Sequence, residues 1–179
     1  MRLIANAMRV TVAVMLLCAT DALGTQIEYR TPQEMGAGSA LVVQGRVTGI
    51  HSYWNGTHTK ILTEARVSVD RSFKGSAVGE VTVLQLGGTV GHVRMNVEGA
   101  VSWERGEEVL LFLEPFRPGS YQVYGLSLGK YDIERDERGR AFVRGAGEGA
   151  AQLLGAPRQE RAPRVPLDTF IDDALGGRR

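Results

Sequence analysis

A serine flanked by glycines is the first group in this sequence that could carry out chemistry. Residues 125–129 read Gly-Leu-Ser-Leu-Gly, the pattern of a nucleophile elbow, in which a strained turn from a strand into a helix exposes a catalytic serine. Residues 130–135 alternate like another strand, so the helix that such a site requires is not predicted. We expect these glycines to bend strands, and a hydrolase that uses Ser127 is an alternative function.

Three histidines supply the neutral nitrogen ligands that a metal site would need. His51, His58 and His92 show no fixed metal-binding spacing. His51 and His58 flank a predicted turn and could share a metal across a hairpin, which is the alternative to exposed loop histidines. We expect exposed loops, and we predict no catalytic residue, no metal ligand and no cofactor.

Two further patterns resemble ligand-binding loops but lack part of the signature. Asp132, Glu134 and Asp136 have the spacing of calcium ligands, yet Gly139 falls two positions late and no glutamate closes the loop. Residues 145–149 are rich in glycine, but they follow no parallel strand and begin no clear helix that could hold a phosphate. We expect a solvated hairpin at the first pattern and a linker at the second.

An adjacent pair of large aromatic residues is the strongest candidate for binding. Tyr53 and Trp54 precede Asn55-Gly56, the dipeptide best suited to a type I′ hairpin turn. Aromatic side chains at a hairpin tip can anchor a protein or stack on a sugar, and they can equally cover one end of a barrel. The candidate partner-binding residues are therefore Tyr53, Trp54, His51 and His58, whereas Trp103 is expected in the core.

The elements that position these residues are predicted to be strands. From Ala40 to Val143 the apolar residues recur mainly at every second position, the period of strands with one face toward a core. Gly45 in the first strand predicts a bulge. Residues 109–113 are apolar throughout, which is typical of a strand covered on both sides, and Pro115 and Pro118 are expected to end it. Strands are predicted at 40–50, 60–70, 80–86, 93–97, 109–113, 121–128, 130–135 and 140–144.

These strands and one late helix predict a mainly β fold. We expect a small antiparallel OB-like β-barrel over residues 39–144 with one short C-terminal helix over 165–176, because closure removes exposed sheet edges. A β-sandwich is the alternative. Residues 25–38 are assigned to an N-terminal extension. Residues 145–164 contain mainly Gly, Ala, Pro, Gln and Arg, so a flexible linker is predicted there.

The first 24 residues have the layout of a cleavable signal peptide. Arg2 and Arg9 flank a short apolar run that ends in Ala-Leu-Gly at 22–24, and this run is shorter than the roughly 20 residues of a membrane span. Cleavage removes the only cysteine, Cys18, and takes two of the 21 basic and one of the 20 acidic residues, which leaves equal numbers. We predict a secreted or periplasmic protein with no nucleic-acid partner and no membrane span after cleavage.

Part of this pattern resembles the netrin-like modules, the superfamily that includes the tissue inhibitors of metalloproteinases. The resemblance covers residues 40–113. It rests on Leu-Val-Val-Gln-Gly-Arg-Val at 41–47, the alternating strand that ends in Phe-Lys-Gly at 73–75, and Gly-Glu-Glu-Val-Leu-Leu-Phe-Leu at 106–113. It implies an OB-like barrel that binds proteins and has no enzymatic activity. The same pattern is similar to that of secreted bacterial proteins.

One feature of the inhibitors is missing from this chain. In that family a disulfide-held N-terminal cysteine chelates the protease zinc, whereas the predicted mature N-terminus here is Thr25-Gln26 and no cysteine remains. The resemblance therefore implies the fold and a partner-binding role, but not the inhibitory residues. The expected function is a non-catalytic binding module for a protein, with an exported protease as one candidate partner. The alternatives are a module for carbohydrate or cell-envelope polymer, and the Ser127 hydrolase.

Overall fold

The computed structural model describes residues 30–144 and 164–177. The predicted signal peptide, the first part of the N-terminal extension and nearly all of the predicted linker over 145–164 lie outside these residues. The elements, in chain order, are helix α1 (Pro32–Gly38), strands β1 (Leu41–Trp54), β2 (Ile61–Lys74), β3 (Glu80–Leu86), β4 (Gly88–Val90), β5 (Val93–Met95), β6 (Glu108–Arg117) and β7 (Ser120–Val123), a 3₁₀ turn (Leu126–Gly129), strands β8 (Lys130–Arg135), β9 (Ala141–Arg144) and β10 (Val165–Pro166), and helix α2 (Leu167–Ala174).

The fold is mainly β with a short C-terminal helix, as predicted. β1 and β2 form a long antiparallel hairpin, and its register shifts between Gln44 and Gly45. This shift is the predicted bulge. A Cβ at position 45 would overlap the carbonyl oxygen of Ser68 on β2, so only glycine lets the two backbones approach this closely.

The pairings of five strands close into a ring. β1 pairs with β2, β2 with β3, β3 with β7, β7 with β6, and β6 again with β1, while β8, β9 and β10 continue the sheet from β6. The β3–β7 pairing is parallel, through Val83 and Tyr121, so the prediction of a wholly antiparallel arrangement is wrong at this point. Because the ring has an odd number of strands, their directions cannot alternate all the way around, and one pair has to be parallel.

Two apolar clusters lie on opposite sides of β1 and β6. Val109, Leu111 and Leu113 belong to an inner cluster whose members come mainly from the strands of the ring, and Leu110 and Phe112 belong to an outer cluster covered by α1 and α2. All five side chains are fully buried, as predicted for a strand covered on both sides. Alternating side chains of one strand thus serve two cores.

Helix α2 covers the outer cluster in the predicted way. Its buried residues are Leu167, Phe170, Ile171 and Ala174, and the ring of Phe170 lies 4.8 Å from Tyr131 and 6.3 Å from Phe112, between centroids. The helix begins at Leu167, later than predicted, because Val165–Pro166 pairs with β9 as a short strand. No helix in the described ranges is long and apolar enough to cross a membrane.

Helix α1 was not predicted, because residues 25–38 were assigned to an N-terminal extension. Thr31 and Glu34 form a capping box, in which each side chain bonds the other residue's backbone N–H, and Pro32 occupies the first turn. Gly36 of α1 lies against the carbonyl of Ala174 on α2, where a Cβ would overlap it. The structure therefore has two packed helices rather than one.

Pro115 does not end the sixth strand, contrary to the prediction. β6 continues to Arg117, directly before Pro118, and Pro115 pairs with Tyr121 of β7. The pairing of β1 with β6 stops at Leu113, so at Pro115 the strand has a neighbour on one side only. A proline, which has no N–H, is tolerated at such an edge, where a register shift follows.

Two other strands are shorter than predicted. The strand expected over 121–128 ends at Val123, because Gly125 and Leu126 adopt positive φ angles of 71° and 58° and turn the chain away from extended geometry. The strand expected over 93–97 ends at Met95 after pairing with β4. Both differences arise at turns, where local periodicity carries little information.

Candidate functional site

The tip of the β1–β2 hairpin is a six-residue loop, not the predicted two-residue turn. Trp54 pairs with Ile61, and Asn55 organises the loop between them. Its Oδ1 accepts hydrogen bonds from the backbone N–H groups of Thr59 (2.8 Å) and Lys60 (3.0 Å), and its Nδ2 donates to the hydroxyls of Thr57 (2.9 Å) and Thr59 (3.2 Å). The asparagine therefore acts through its side chain rather than through a positive φ.

The four predicted binding residues form two stacked pairs at this tip. His51 stacks on Tyr53 with ring centroids 5.7 Å apart, and Trp54 stacks on His58 at 6.2 Å. Adjacent strand residues point to opposite faces, so one pair lies on each face of the hairpin. The histidines are exposed and the two larger rings are half-buried.

The structure does not bring the histidines together as a metal site. His51 and His58 each stack on a different aromatic ring, and His92 lies in the turn between β4 and β5. In residues 30–144 and 164–177 there is no group of three or more His, Cys, Asp or Glu side chains placed to hold a metal ion.

One edge of β1 has no paired strand next to this tip among the described residues. β1 pairs with β6 from Leu41 to Arg46, and Val47 makes the last two backbone bonds on that side, with Glu107 (3.0 Å) and Gly106 (2.8 Å). From Thr48 to Trp54, no other strand of the described chain pairs with β1 on this side. Such an edge offers backbone donors and acceptors to another extended chain.

A buried carboxylate lies where the outer cluster ends. Glu108 accepts hydrogen bonds from Arg135 Nη2 (2.6 Å), Arg135 Nε (3.0 Å) and Gln44 Nε2 (2.7 Å), and Arg46 lies 3.5 Å away. Burial alone would raise the pKa of Glu108, but the bonds from Arg135 and Gln44 and the charges of Arg135 and Arg46 outweigh burial and hold this pKa below its ordinary value. The carboxylate is therefore ionised at neutral pH.

Next to this carboxylate is a cavity of about 490 Å³ between the β8–β9 hairpin and the start of α2. We call it the arginine cleft, and its chemically important lining residues are Gln44, Arg71, Arg135, Arg140, Phe142 and Leu167. Arg71 lies over the Phe73 ring at 4.6 Å and is paired with Asp168 at 3.3 Å. Arg140 lies 5.8 Å from the centre of the Phe142 ring.

Ser127 lies in the 3₁₀ turn with its side chain buried. Its Oγ is inaccessible to solvent and has no hydrogen-bond partner among the described residues, while its N–H donates to the carbonyl of Gly99 at 3.0 Å. A catalytic serine has to reach its substrate and a base. This burial speaks against the Ser127 hydrolase.

The carboxylates of the calcium-like pattern are occupied by the protein's own donors. Asp132 pairs with Lys130 at 2.9 Å, Glu134 pairs with Arg144 and Arg164, and Asp136 pairs with Arg140 at 2.7 Å. The three acids lie on the hairpin that was expected here, and they are partly buried rather than fully solvated.

Lys130 is a buried cation between two acids. Its Nζ donates to Glu107 (2.8 Å) and Asp132 (2.9 Å) and lies 5.8 Å from the centre of the Trp103 ring. Burial lowers the pKa of Lys130, but the hydrogen bonds and charges of Glu107 and Asp132 outweigh burial and raise it above its ordinary value. Trp103 was expected in the core, but it is half-buried and packs against the edge of the inner cluster. This group holds the loop before β6 in place.

The sequence reasoning missed the arginine cleft. Its arginines come from β2, β8 and the following turn, and only the fold brings them together. One local signal was present. Gln44 lies two residues after Val42 on β1, and Glu108 lies two residues before Leu110 on β6, so each polar residue shares a strand face with a residue of the outer cluster. A polar residue in a buried register often marks a site.

No protein-family model matches this sequence, and no curated protein is significantly similar to it. The functional conclusions below therefore depend on the residues and their geometry.

Proposed function

We propose that this chain is an exported, non-catalytic binding module whose ligand is an extended segment of another protein. The ring of five strand pairings around one apolar cluster supports an OB-like barrel, the fold that the netrin-like resemblance implies. Modules of this kind commonly bind through the loop that connects the first two strands. In this chain that loop carries the two aromatic stacks.

The open edge of β1 is the observation that carries this proposal. From Thr48 to Trp54 this edge of β1 has no paired strand among the described residues, and it leads directly into the Tyr53 and Trp54 stacks. A partner segment that adds as a strand gains main-chain hydrogen bonds along the edge, while the aromatic side chains supply contact area and specificity. An exported protease is one candidate partner.

The polar groups of the tip favour a protein over a carbohydrate. Asn55, Thr57 and Thr59 hydrogen-bond mainly to one another and to the loop backbone, so few of their donors are available for sugar hydroxyls. The edge of β1, in contrast, presents backbone groups that suit another backbone. Carbohydrate binding is an outcome that the experiment below distinguishes.

Photocrosslinking from the tip tests this proposal. A photoreactive phenylalanine analogue replaces His51, where an aromatic ring can still stack on Tyr53, or it replaces His58, and the protein is illuminated in its native exported fraction. The control places the same analogue at Val78, which is 93% exposed in the β2–β3 connection. We expect one discrete protein adduct from both tip positions and none from Val78.

A second variant connects the adduct to the aromatic stacks. Adding Trp54→Ala to the His51 probe, or Tyr53→Ala to the His58 probe, should abolish the adduct while the thermal midpoint of the protein stays close to that of the unsubstituted protein. An adduct that forms equally from Val78, or the absence of any adduct from the tip, contradicts the proposal. Quenching of tryptophan fluorescence by envelope oligosaccharides without a protein adduct would favour the carbohydrate alternative.

A further inference from the structure

We propose that, when no ligand is bound, the open edge of β1 pairs with the same edge of a second copy of this chain in a two-fold symmetric dimer. This inference concerns the regulation of the binding edge. It rests on the proposed function in one respect, since the ligand has to displace the second copy.

Three alternate residues of the edge have backbone groups that point away from β2. The N–H of Asn55 donates to the carbonyl of Lys60, on the β2 side of the hairpin, at 2.8 Å. Successive residues of a strand direct these groups to alternate sides, so those of Ile50, Ser52 and Trp54 point outward. On this side they have no hydrogen-bond partner among residues 30–144 and 164–177. The edge therefore offers an N–H and a C=O group from each of these residues to another strand.

The edge lacks the features that usually prevent self-pairing. Residues 47–54 read Val-Thr-Gly-Ile-His-Ser-Tyr-Trp, without a lysine, an arginine, an acid or a proline. Exposed edges are commonly protected by charged side chains or by proline, and a charge on this segment would be brought close to the same charge of a second copy. The composition of the segment therefore favours a second copy as the occupant of the free edge.

One antiparallel register uses every outward-facing residue. With Ser52 opposite Ser52 of the second copy, Ile50 lies opposite Trp54 of the second copy, and all three residues form hydrogen-bonded pairs. A shift of the two-fold axis by one residue in either direction leaves one end of the edge opposite the register shift before Gly49 or opposite the tip loop. The Ser52-centred register is therefore the one that we assign.

The side chains also match in this register. On one face the half-buried Ile50 lies beside Trp54 of the second copy, and the two Ser52 side chains lie between the two apolar pairs. On the other face His51 lies opposite Tyr53 of the second copy. Aromatic and β-branched cross-strand pairs of this kind stabilise antiparallel strands. Because both copies use the same edge, assembly stops at two copies.

Sedimentation velocity of the purified exported protein tests the dimer. A contact limited to residues 50–54 of each chain is small, so we expect a transient dimer with a dissociation constant in the micromolar range. Between about 1 and 300 μM, the weight-average sedimentation coefficient should rise from the monomer value toward the dimer value. Sedimentation as a monomer at every concentration overturns the proposal.

A substitution connects the dimer to this edge. Trp54→Ala removes both Ile50–Trp54 pairs of the symmetric contact, so it should raise the dissociation constant at least about fivefold. Val78→Ala is the control, because Val78 is 93% exposed in the β2–β3 connection, and it should leave the dissociation constant unchanged. An unchanged dissociation constant for Trp54→Ala, or equal effects of the two substitutions, overturns the assignment to this edge.

A mixture of two cysteine variants tests the register. His51→Cys in one chain and Tyr53→Cys in the other form a non-hydrogen-bonded pair, the closest type of cross-strand pair, which suits a disulfide. Both proteins also carry Cys18→Ser, so the introduced thiols are the only ones. With oxidised glutathione, we expect linked dimers from the mixture but few from either protein alone, because identical positions lie diagonally, about 7 to 8 Å apart. No linking in the mixture, or equal linking in all samples, overturns the proposal.

The linked dimer also tests the displacement by the ligand. Its His51→Cys chain carries the photoreactive analogue at His58, and it should give no partner adduct in the native exported fraction until the disulfide is reduced. A partner adduct before reduction overturns the competition for one edge.

The two proposals fail in different ways. A protein that stays monomeric but still gives the partner adduct from the hairpin tip overturns this inference and leaves the proposed function standing. A dimer without any partner adduct contradicts the proposed function and leaves the dimer standing. A homodimer adduct from the His51 probe is recognised by a mass of twice the chain.

Discussion

Replacing Glu108 by glutamine should destabilise the protein, and the effect should become smaller in acid. The neutral amide keeps the size of the side chain but loses the charge that faces Arg135 and Arg46. Removing one partner of a fully buried ion pair costs about 3 to 5 kcal/mol. The Glu108 side chain is 8% exposed but that of Arg135 is 47% exposed, so water compensates part of the loss, and we expect about 2 to 3 kcal/mol at neutral pH.

The pH dependence follows from the direction of the pKa shift. Because hydrogen bonds from Arg135 and Gln44 outweigh burial, the pKa of Glu108 is lower in the folded protein than in the unfolded chain. The resulting stability is fully present above the unfolded pKa and is lost as the pH falls through the lower, folded pKa. Glu108→Gln should therefore differ most from the unsubstituted protein at neutral pH and less at about pH 3, which lies below the ordinary glutamate pKa of about 4.3.

Urea denaturation followed by far-ultraviolet circular dichroism measures this difference at both pH values. Glu137→Gln is the matched control, since Glu137 is an exposed acid in the β8–β9 turn, and it should change the free energy of unfolding by less than about 0.5 kcal/mol. A loss below about 0.5 kcal/mol for Glu108→Gln at neutral pH would refute the reasoning. A loss that persists undiminished in acid would also refute it.

Three other substitutions test the packing. Gly45→Ala should cost about 1 to 3 kcal/mol in urea denaturation, because the new Cβ overlaps the backbone of Ser68. Phe170→Ala should cost about 3 to 5 kcal/mol through loss of the aromatic cluster, and a drop in the thermal midpoint measures it. Thr31→Ala should cost about 1 kcal/mol by removing the α1 cap, and faster amide exchange confined to α1 checks it.

The strand pattern was predictable because it depends on local burial. Alternation from Ile61 to Val69 gave β2, and the continuous apolar run at 109–113 gave a strand between two cores. Gly45 could be identified as a bulge because glycine inside a strand has few other roles. Helix α1 was also within reach of the sequence, since Thr31 and Glu34 have the spacing of a capping box.

The arginine cleft and the parallel pairing within the ring could not be predicted in this way. Arg71 and Arg140 are far apart in the sequence and become neighbours only when the β8–β9 hairpin lies next to the outer cluster. The parallel β3–β7 pairing results from the number of strands in the ring, which no single segment encodes. At the hairpin tip, sequence reasoning found the aromatic residues but not their stacking, because the Asn55 loop brings His58 back over Trp54.

The two halves of β1 explain why stability and binding can be measured separately in this protein. From Leu41 to Arg46 the strand is paired on both edges, and its side chains alternate between the two clusters, so substitutions there act mainly on folding. Beyond Val47, β2 is the only strand of the described residues that pairs with β1, and the exposed side chains of Thr48 and His51 contribute little to the core. Gln44 is the exception: it lies in the buried half, yet its Oε1 has no hydrogen-bond partner among the described residues, which costs stability.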